Sequence, residues 1–159
     1  MSFTIPGMAP SILLASAAAW PVIAFAHLGG GTDGMAAEQA ALKVNSVRVE
    51  HRELYDVHHW QRADGEIRQY SDAAGRVFAV SWKTHHPVPL ADLLDVPSVV
   101  LVGDGKTATA GRLAASRHVA SSVAGDRVVH VLKLSRLFMG SAQLSSRIPQ
   151  GVDVKELQP

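Results

Sequence analysis

The feature that most constrains the fold is a series of short segments, separated by glycine-containing turns, over residues 53–83. The dipeptide Asp64-Gly65 tolerates the positive φ values of a type I′ turn and so favours a tight hairpin. A second glycine turn spans Asp72 to Gly75, one segment later. These turns predict a three-stranded antiparallel meander with strands at residues 54–62, 66–71 and 76–82.

The two turns also predict a register for the meander. They set His59 opposite Tyr70, and Tyr70 opposite Phe78. Four further side chains are then expected on that same face: Tyr55, Val57, Val80 and Trp82. We interpret this face as the core side of the sheet, on which Tyr70, Phe78 and Trp82 should be largely buried.

Further strand patterns follow the meander. An apolar run at residues 99–102 leads into a turn at 103–105, and Gly125 lies in a second turn of this region. The strands of this second group are predicted at residues 113–123, 127–134 and 137–144. The fold class predicted is therefore α+β, mainly β: a single antiparallel-sheet domain with a short N-terminal helix.

Helical segments are predicted on both sides of the meander. Residues 35–43 contain neither Gly nor Pro and favour a short helix, for which Thr32 or Asp33 can act as N-cap. Residues 90–94 can form one or two helical turns after two prolines that end the meander. The glycine-rich residues 28–34 are expected to be flexible and poorly ordered.

The N-terminal residues predict export. An uncharged apolar run at residues 12–25 ends in Ala24-Phe25-Ala26, a small-x-small cleavage site. We therefore predict an export signal at residues 1–26 and one exported domain at 27–159, located in the periplasm or secreted, with no stable membrane insertion after cleavage. Residues 1–26 also lack the Lys or Arg of a usual signal, so an uncleaved anchor is the alternative.

Composition excludes several classes of function. The chain has 15 Lys and Arg against 14 Asp and Glu, a net charge of +1, which is too balanced for electrostatic binding of nucleic acid or an anionic membrane. It has no cysteine, which excludes disulfides, thiolate metal sites, a cysteine nucleophile and a bacterial lipid anchor. Charges of opposite sign are interspersed over residues 48–83 and indicate an ordinary solvated sheet surface: Arg48, Arg52, Arg62, Arg68, Arg76 and Lys83 with Glu50, Glu53, Asp56, Asp64, Glu66 and Asp72.

Five packing and turn motifs resemble one known family. They are His27-Leu28-Gly29-Gly30, Gly75-x-Val77-Phe78-Ala79-x-x-Trp82, Pro89-Leu90-x-x-Leu93-Leu94, Phe138-x-Gly140-x-Ala142-x-Leu144 and Pro149-x-Gly151-Val152. The chain is similar in these motifs to the exported proteobacterial proteins catalogued as domain of unknown function 2844. The resemblance covers nearly the whole of residues 27–159 and implies export and one compact domain, but no activity.

No catalytic or cofactor-binding motif is complete. Residues 29–34 match G-x-G-x-x-G, but no buried strand precedes them as a dinucleotide site requires. Gly105-Lys106-Thr107 resembles the end of a P-loop, yet Val100 occupies the place of its first glycine. No Ser lies in G-x-S-x-G or S-x-x-K. We therefore predict no catalytic residue and no cofactor.

Histidine is the one candidate for metal chemistry. The eight histidines are His27, His51, His58, His59, His85, His86, His118 and His130. Adjacent residues on a strand face opposite ways, so His58 and His59 should not bind one ion together. His59 is expected as a satisfied, half-buried side chain. His27, as a new N-terminus, could chelate copper through its amine and ring.

The function that these observations predict is an exported non-enzymatic binding or interaction module, with a protein or small-molecule ligand that the sequence does not identify. The alternative is a histidine-based metal-binding or metal-handling periplasmic protein, and a third, weaker hypothesis is an enzyme with a site assembled across strands. No metal-ligand set can be assigned from the sequence, and we expect no tight stoichiometric metal site.

Overall fold

The computed structural model describes residues 27–94, 100–103, 106–109 and 117–159. The predicted export signal at 1–26 and the centre of the predicted 103–105 turn lie outside the described residues. Within them, nine strands form one antiparallel sheet in the order β1-β2-β3-β4-β9-β8-β7-β5-β6. The strands are β1 (Ser46–His51), β2 (Asp56–Arg62), β3 (Gly65–Ser71), β4 (Val77–Thr84), β5 (Val100–Gly103), β6 (Lys106–Thr109), β7 (Arg117–Ala124), β8 (Arg127–Leu134) and β9 (Leu137–Leu144).

Helical structure is short. The described helices are α1 (Met35–Ala41) and α2 (Leu90–Leu94), and 3-10 turns cover Thr32–Gly34, Ser145–Arg147 and Val154–Leu157. The predicted fold class, a mainly β domain with a short N-terminal helix, is confirmed. The expected caps of α1 are wrong, because Thr32 and Asp33 lie in a 3-10 turn that runs directly into the helix. No described helix is long and apolar enough to cross a membrane.

The meander is confirmed, but its first turn lies one residue earlier than predicted. Arg62 pairs with Gly65, so Ala63 and Asp64 form the turn, and Gly65 begins β3 with φ +146. A Cβ at Gly65 would collide with the carbonyl oxygen of Lys83, so a close approach between strands also requires this glycine.

The pairing of the strands corrects the predicted register. His59 pairs with Arg68 rather than Tyr70, a shift of two residues that preserves the face of each side chain. Tyr70 pairs with Ala79 and Ser71 with Val77, so Phe78 is the extra residue of a β-bulge and is not opposite Tyr70.

The bulge and the covering segments bury both faces of the central strands. One face forms the main core, which includes Trp60, Val80 and Trp82, and the other forms the aromatic core of Tyr55, Val57, Tyr70, Phe78, Ala79 and Leu157. The prediction that Tyr70, Phe78 and Trp82 are buried is confirmed, with exposures of 2%, 0% and 2%. The prediction that all three share one face with Tyr55, Val57 and Val80 is wrong. Trp82 and Val80 lie in the main core, and the others lie in the aromatic core.

The glycine-rich lead is anchored, contrary to the prediction that it is flexible. Gly29 N–H donates to the Val77 carbonyl at 2.8 Å, and Val77 N–H donates to the Gly30 carbonyl at 2.9 Å. Thr32 N–H bonds the Gly75 carbonyl at 2.9 Å, and Leu28 is buried in the main core. Backbone pairing with the start of β4 therefore outweighs the conformational entropy that the glycines lose.

Candidate functional site

A polar concavity lies beside the aromatic core, where β1, β2 and β3 meet the C-terminal 3-10 turn Val154–Leu157. We call it the polar cleft. Its volume is about 350 Å³, and its lining residues are Glu50, Arg52, Tyr55, Val57, His59, Arg68, Tyr70 and Glu156.

The C-terminal turn forms one wall of the polar cleft and is held by both apolar and polar contacts. Leu157 is fully buried in the aromatic core. The Tyr55 hydroxyl donates to Glu156 Oε2 at 2.9 Å, and the Tyr70 hydroxyl lies 3.2 Å from Ser81 Oγ beneath it. The aromatic core thus fixes the wall against the sheet.

His59 lies at the centre of the cleft between two carboxylates. Its Nδ1 is 2.7 Å from Glu66 Oε1, and its Nε2 is 3.2 Å from Glu50 Oε2. Only 16% of its side chain is exposed. A carboxylate oxygen only accepts hydrogen bonds, so in each contact the ring nitrogen of His59 is the donor. The expectation that His59 is a satisfied, half-buried histidine agrees with this geometry.

Two arginines neutralise the same carboxylates from their other sides. Arg68 Nε and Nη2 donate to Glu66 Oε2 at 3.0 and 2.8 Å, and Arg52 Nε lies 2.7 Å from Glu50 Oε1. The two carboxylates are therefore each flanked by an arginine on the outer side and by His59 between them, in the order Arg52, Glu50, His59, Glu66 and Arg68.

These pairs set the ionisation of the cleft. The hydrogen bond from His59 lowers the pKa of Glu50. Burial alone would raise the pKa of Glu66, but the hydrogen bonds from Arg68 and His59 outweigh burial and lower it. The hydrogen bond to Glu66 raises the pKa of Arg68. Burial and the carboxylate of Glu156 raise the pKa of Tyr55 to about 12. At neutral pH Glu50 and Glu66 are therefore ionised and the phenol of Tyr55 is protonated.

The other histidines do not join this cluster. His58 points to the opposite side of the sheet from His59, as predicted, and its Nε2 lies 2.9 Å from Ser71 Oγ, where burial lowers its pKa. His130 is exposed on β8, which three strands separate from β2, or about 19 Å at 4.8 Å per strand. The remaining ones are His27, the exposed His51, His85 and His86, and His118 on β7.

No group of three or more His, Asp or Glu side chains is arranged to hold a metal ion within the described ranges. The copper site that the sequence predicts at His27 stays a prediction. The two glycine motifs do not form nucleotide sites, because Gly29 and Gly30 bond to Val77 of β4 and Lys106 begins a short strand rather than a helix.

Sequence reasoning missed most of the polar cleft. Strand β1 was not predicted, although the alternation of Val47, Arg48, Val49 and Glu50 is a strand signal. The tyrosine–glutamate contact joins residues that lie 101 positions apart, so no local pattern could reveal it.

A second concavity lies on the main-core side and is more apolar. It has a volume of about 170 Å³, and Trp82, Val88, Leu90 and Phe138 contribute to its lining. Lys133 covers the ring of Phe138 with its ammonium group 5.4 Å from the ring centre. This groove has few polar groups to orient a ligand.

Comparison with known proteins gives one family. The family described as "Protein of unknown function (DUF2844)" matches residues 24–157. No curated protein and no solved structure matches the chain.

Proposed function

This chain belongs to the DUF2844 family, and on that premise we propose that it is a non-enzymatic binding module that holds a small polar ligand in the polar cleft. One observation carries the proposal: each carboxylate at the centre of the cleft is already paired with a guanidinium and with His59.

The ionisation of the cleft argues against acid–base catalysis. A general acid or base works best when its pKa lies near the working pH. The pKa values of Glu50 and Glu66 are instead lowered, and that of Tyr55 is raised to about 12. His59 has both ring nitrogens against carboxylates, so neither is available to remove a proton from a substrate.

The same groups define the ligand. The cleft offers guanidinium donors and carboxylate acceptors side by side, and their charges nearly cancel. A ligand with both donors and acceptors and no net charge complements such a surface, whereas a strongly charged ligand would break existing pairs. A volume of about 350 Å³ suits a small molecule, either hydroxyl-rich or zwitterionic.

We further propose that the protein works outside the cytoplasm. The uncharged apolar run at 12–25 and the site Ala24-Phe25-Ala26 support this, and the family match begins at residue 24, after most of that run. Mass spectrometry of the protein from its native host should find His27 at the N-terminus. Intact Met1 in a membrane fraction would contradict cleavage and favour an anchor.

Ligand binding can be tested by NMR titration of the protein with four probes: a neutral sugar, a zwitterionic amino acid, inorganic phosphate and a simple organic cation. We expect the neutral or zwitterionic probe to shift the amides of β1, β2, β3 and the C-terminal turn. Shifts confined to the apolar groove, or binding of phosphate or the cation alone, would contradict the proposal.

Two matched arginine variants sharpen this test. Arg52 and Arg76 each pair with one carboxylate, and their side chains are 53% and 60% exposed, but only Arg52 lines the cleft. Arg52→Gln should weaken binding about tenfold, the effect of losing one charge-assisted hydrogen bond. Arg76→Gln should leave it unchanged, and equal losses in both variants would count against the cleft.

The metal alternative has its own test. Calorimetry with copper and with zinc at neutral pH should show only weak, ill-defined binding. A one-to-one nanomolar isotherm that His27→Ala abolishes would replace the small-molecule proposal with metal handling.

A further inference from the structure

Among the described strands, the first one, β1, has an open edge. In the strand order β1 is terminal, and no described strand pairs with its outer side. An edge strand of this kind presents a row of unpaired N–H and C=O groups that can accept another strand.

The pairing with β2 shows which residues of β1 carry those groups. Arg52 N–H donates to the Tyr55 carbonyl at 2.9 Å, one step beyond the pair His51 and Asp56. Because hydrogen-bonded and non-hydrogen-bonded pairs alternate in an antiparallel ladder, the even-numbered residues of β1 bond to β2. Val47, Val49 and His51 therefore direct their backbone groups outward.

The side chains of β1 are also unusually open. Val47 and Val49 lie on the same face of the strand and are 44% and 42% exposed. On the other face, the Arg48 side chain is 75% exposed. Arg48 lies 3.7 Å from Glu50 of its own chain, a loose contact compared with the 2.7 Å contact from Arg52 to Glu50.

We propose that β1 pairs antiparallel with β1 of a second copy of this chain, with Val49 opposite Val49 at a two-fold axis. In this register Val47 lies opposite His51 of the second copy, and these outward-facing residues form the hydrogen-bonded pairs. Arg48 then faces Glu50 of the second copy, and the symmetry repeats this ion pair on the other side of the axis. The two sheets join into one continuous sheet.

Charge excludes the neighbouring registers that keep both copies the same way up. A shift by two residues in one direction sets Arg48 opposite Arg48, and in the other direction sets Glu50 opposite Glu50. Like charges directly opposite each other destabilise a strand pair. A shift by one residue would set Val49 opposite a residue whose backbone groups already bond β2, so the two strands could not form a hydrogen-bonded ladder. The alternating sequence of β1 therefore selects one register.

Single-cysteine variants test this register directly, because the chain has no other cysteine. The Cα atoms of Val49 and its symmetry mate would be about 5.5 Å apart, within disulfide range. Those of Val47 and its mate would be about 14 Å apart, beyond that range. Under mild oxidation, Val49→Cys should form a disulfide-linked dimer at least about tenfold faster than Val47→Cys.

The two cysteine variants are matched controls, since their positions have nearly equal exposure on the same strand face. Equal cross-linking rates would mean random collision and would overturn the proposal. Faster cross-linking of Val47→Cys would overturn the register. No cross-linking of either variant at high protein concentration would overturn self-pairing.

A charge-swap experiment separates pairing from folding. Arg48→Glu sets Glu opposite Glu in a self-pair, and Glu50→Arg sets Arg opposite Arg, so each variant alone should sediment as a monomer. Mixed together, they should form a heterodimer, because both cross-strand pairs are then of opposite charge. A mixture that remains monomeric under conditions in which the unmodified protein dimerises would overturn the proposal, and circular dichroism of each variant checks that it is folded.

Discussion

Glu38 offers the sharpest test of the energetics of this fold. It lies on α1 facing the main-core side of the sheet and is only 5% exposed. Its Oε2 accepts a hydrogen bond from Gln69 Nε2 at 3.1 Å, while its Oε1 has no hydrogen-bond partner in the described structure. Burial raises the pKa of Glu38 from 4.5 to about 7, and the hydrogen bond from Gln69 offsets only part of this shift.

The raised pKa makes stability depend on pH. Between the unfolded pKa of 4.5 and the folded pKa of about 7, the folded protein holds a proton that the unfolded chain has lost. The free energy of unfolding therefore falls as pH rises through this window. At 1.36 kcal/mol per pKa unit, ionisation of Glu38 costs the folded state about 3 kcal/mol above pH 7.

The substitution Glu38→Gln keeps the shape of the side chain and removes the ionisation. We expect the variant to be only about 1 kcal/mol more stable than the unmodified protein at pH 5, near the unfolded pKa, and about 3 kcal/mol more stable at pH 8. Urea unfolding at several pH values between 5 and 9 measures both free energies.

The control for this experiment is Glu53→Gln, which removes an exposed carboxylate. Its effect should be within about 0.5 kcal/mol at every pH. If the stability difference between Glu38→Gln and the unmodified protein does not change between pH 5 and pH 8, the carboxylate is hydrated or paired when ionised, and the burial argument is refuted.

Three further predictions concern the cores and the cleft. Phe78→Ala should destabilise by about 3 to 5 kcal/mol in urea unfolding, and a loss below about 1 kcal/mol would contradict its place in the aromatic core. Gly140→Ala should cost at least about 2 kcal/mol, because its Cβ would collide with Trp82 and with the His130 carbonyl oxygen, and an unchanged melting temperature would contradict that contact. The pKa of Glu66 is lower in the folded protein, so ionised Glu66 stabilises the fold at pH values above its unfolded pKa, and this stability is lost as the pH falls through the folded pKa. Glu66→Gln should therefore flatten the dependence of the free energy of unfolding on pH below about pH 4. Parallel profiles for the variant and the unmodified protein would refute the pairing.

The local turn chemistry was readable from the sequence. Gly75 and Gly125 have φ values of +71 and +64, and each lies in the turn that its glycine predicted. The strands β8 (Arg127–Leu134) and β9 (Leu137–Leu144) have the predicted bounds. These features depend on neighbouring residues alone, and a backbone with positive φ favours glycine wherever the rest of the chain lies.

The assignment of faces was not readable, because both faces of the central strands are covered. Seven of the eight residues of β4 (Val77–Thr84) are buried, so hydrophobicity does not alternate along it. The bulge at Phe78 then shifts the alternation by one residue, and a pattern with a period of two cannot report such a shift.

The sequence by itself determined the strand-rich class, the turns and the balanced charge, because these follow from local backbone preference and composition. The tertiary structure decided the order of the strands, the anchoring of the glycine-rich lead on β4, and the polar cleft. In that cleft His59 meets Glu66 across one hairpin, but Glu50 enters from a third strand and Glu156 from the C-terminal turn. Contacts between residues so far apart in the chain form only when the free energy gained by burying the aromatic core exceeds the entropic cost of closing the intervening loops. Both quantities depend on the complete fold and not on any local segment.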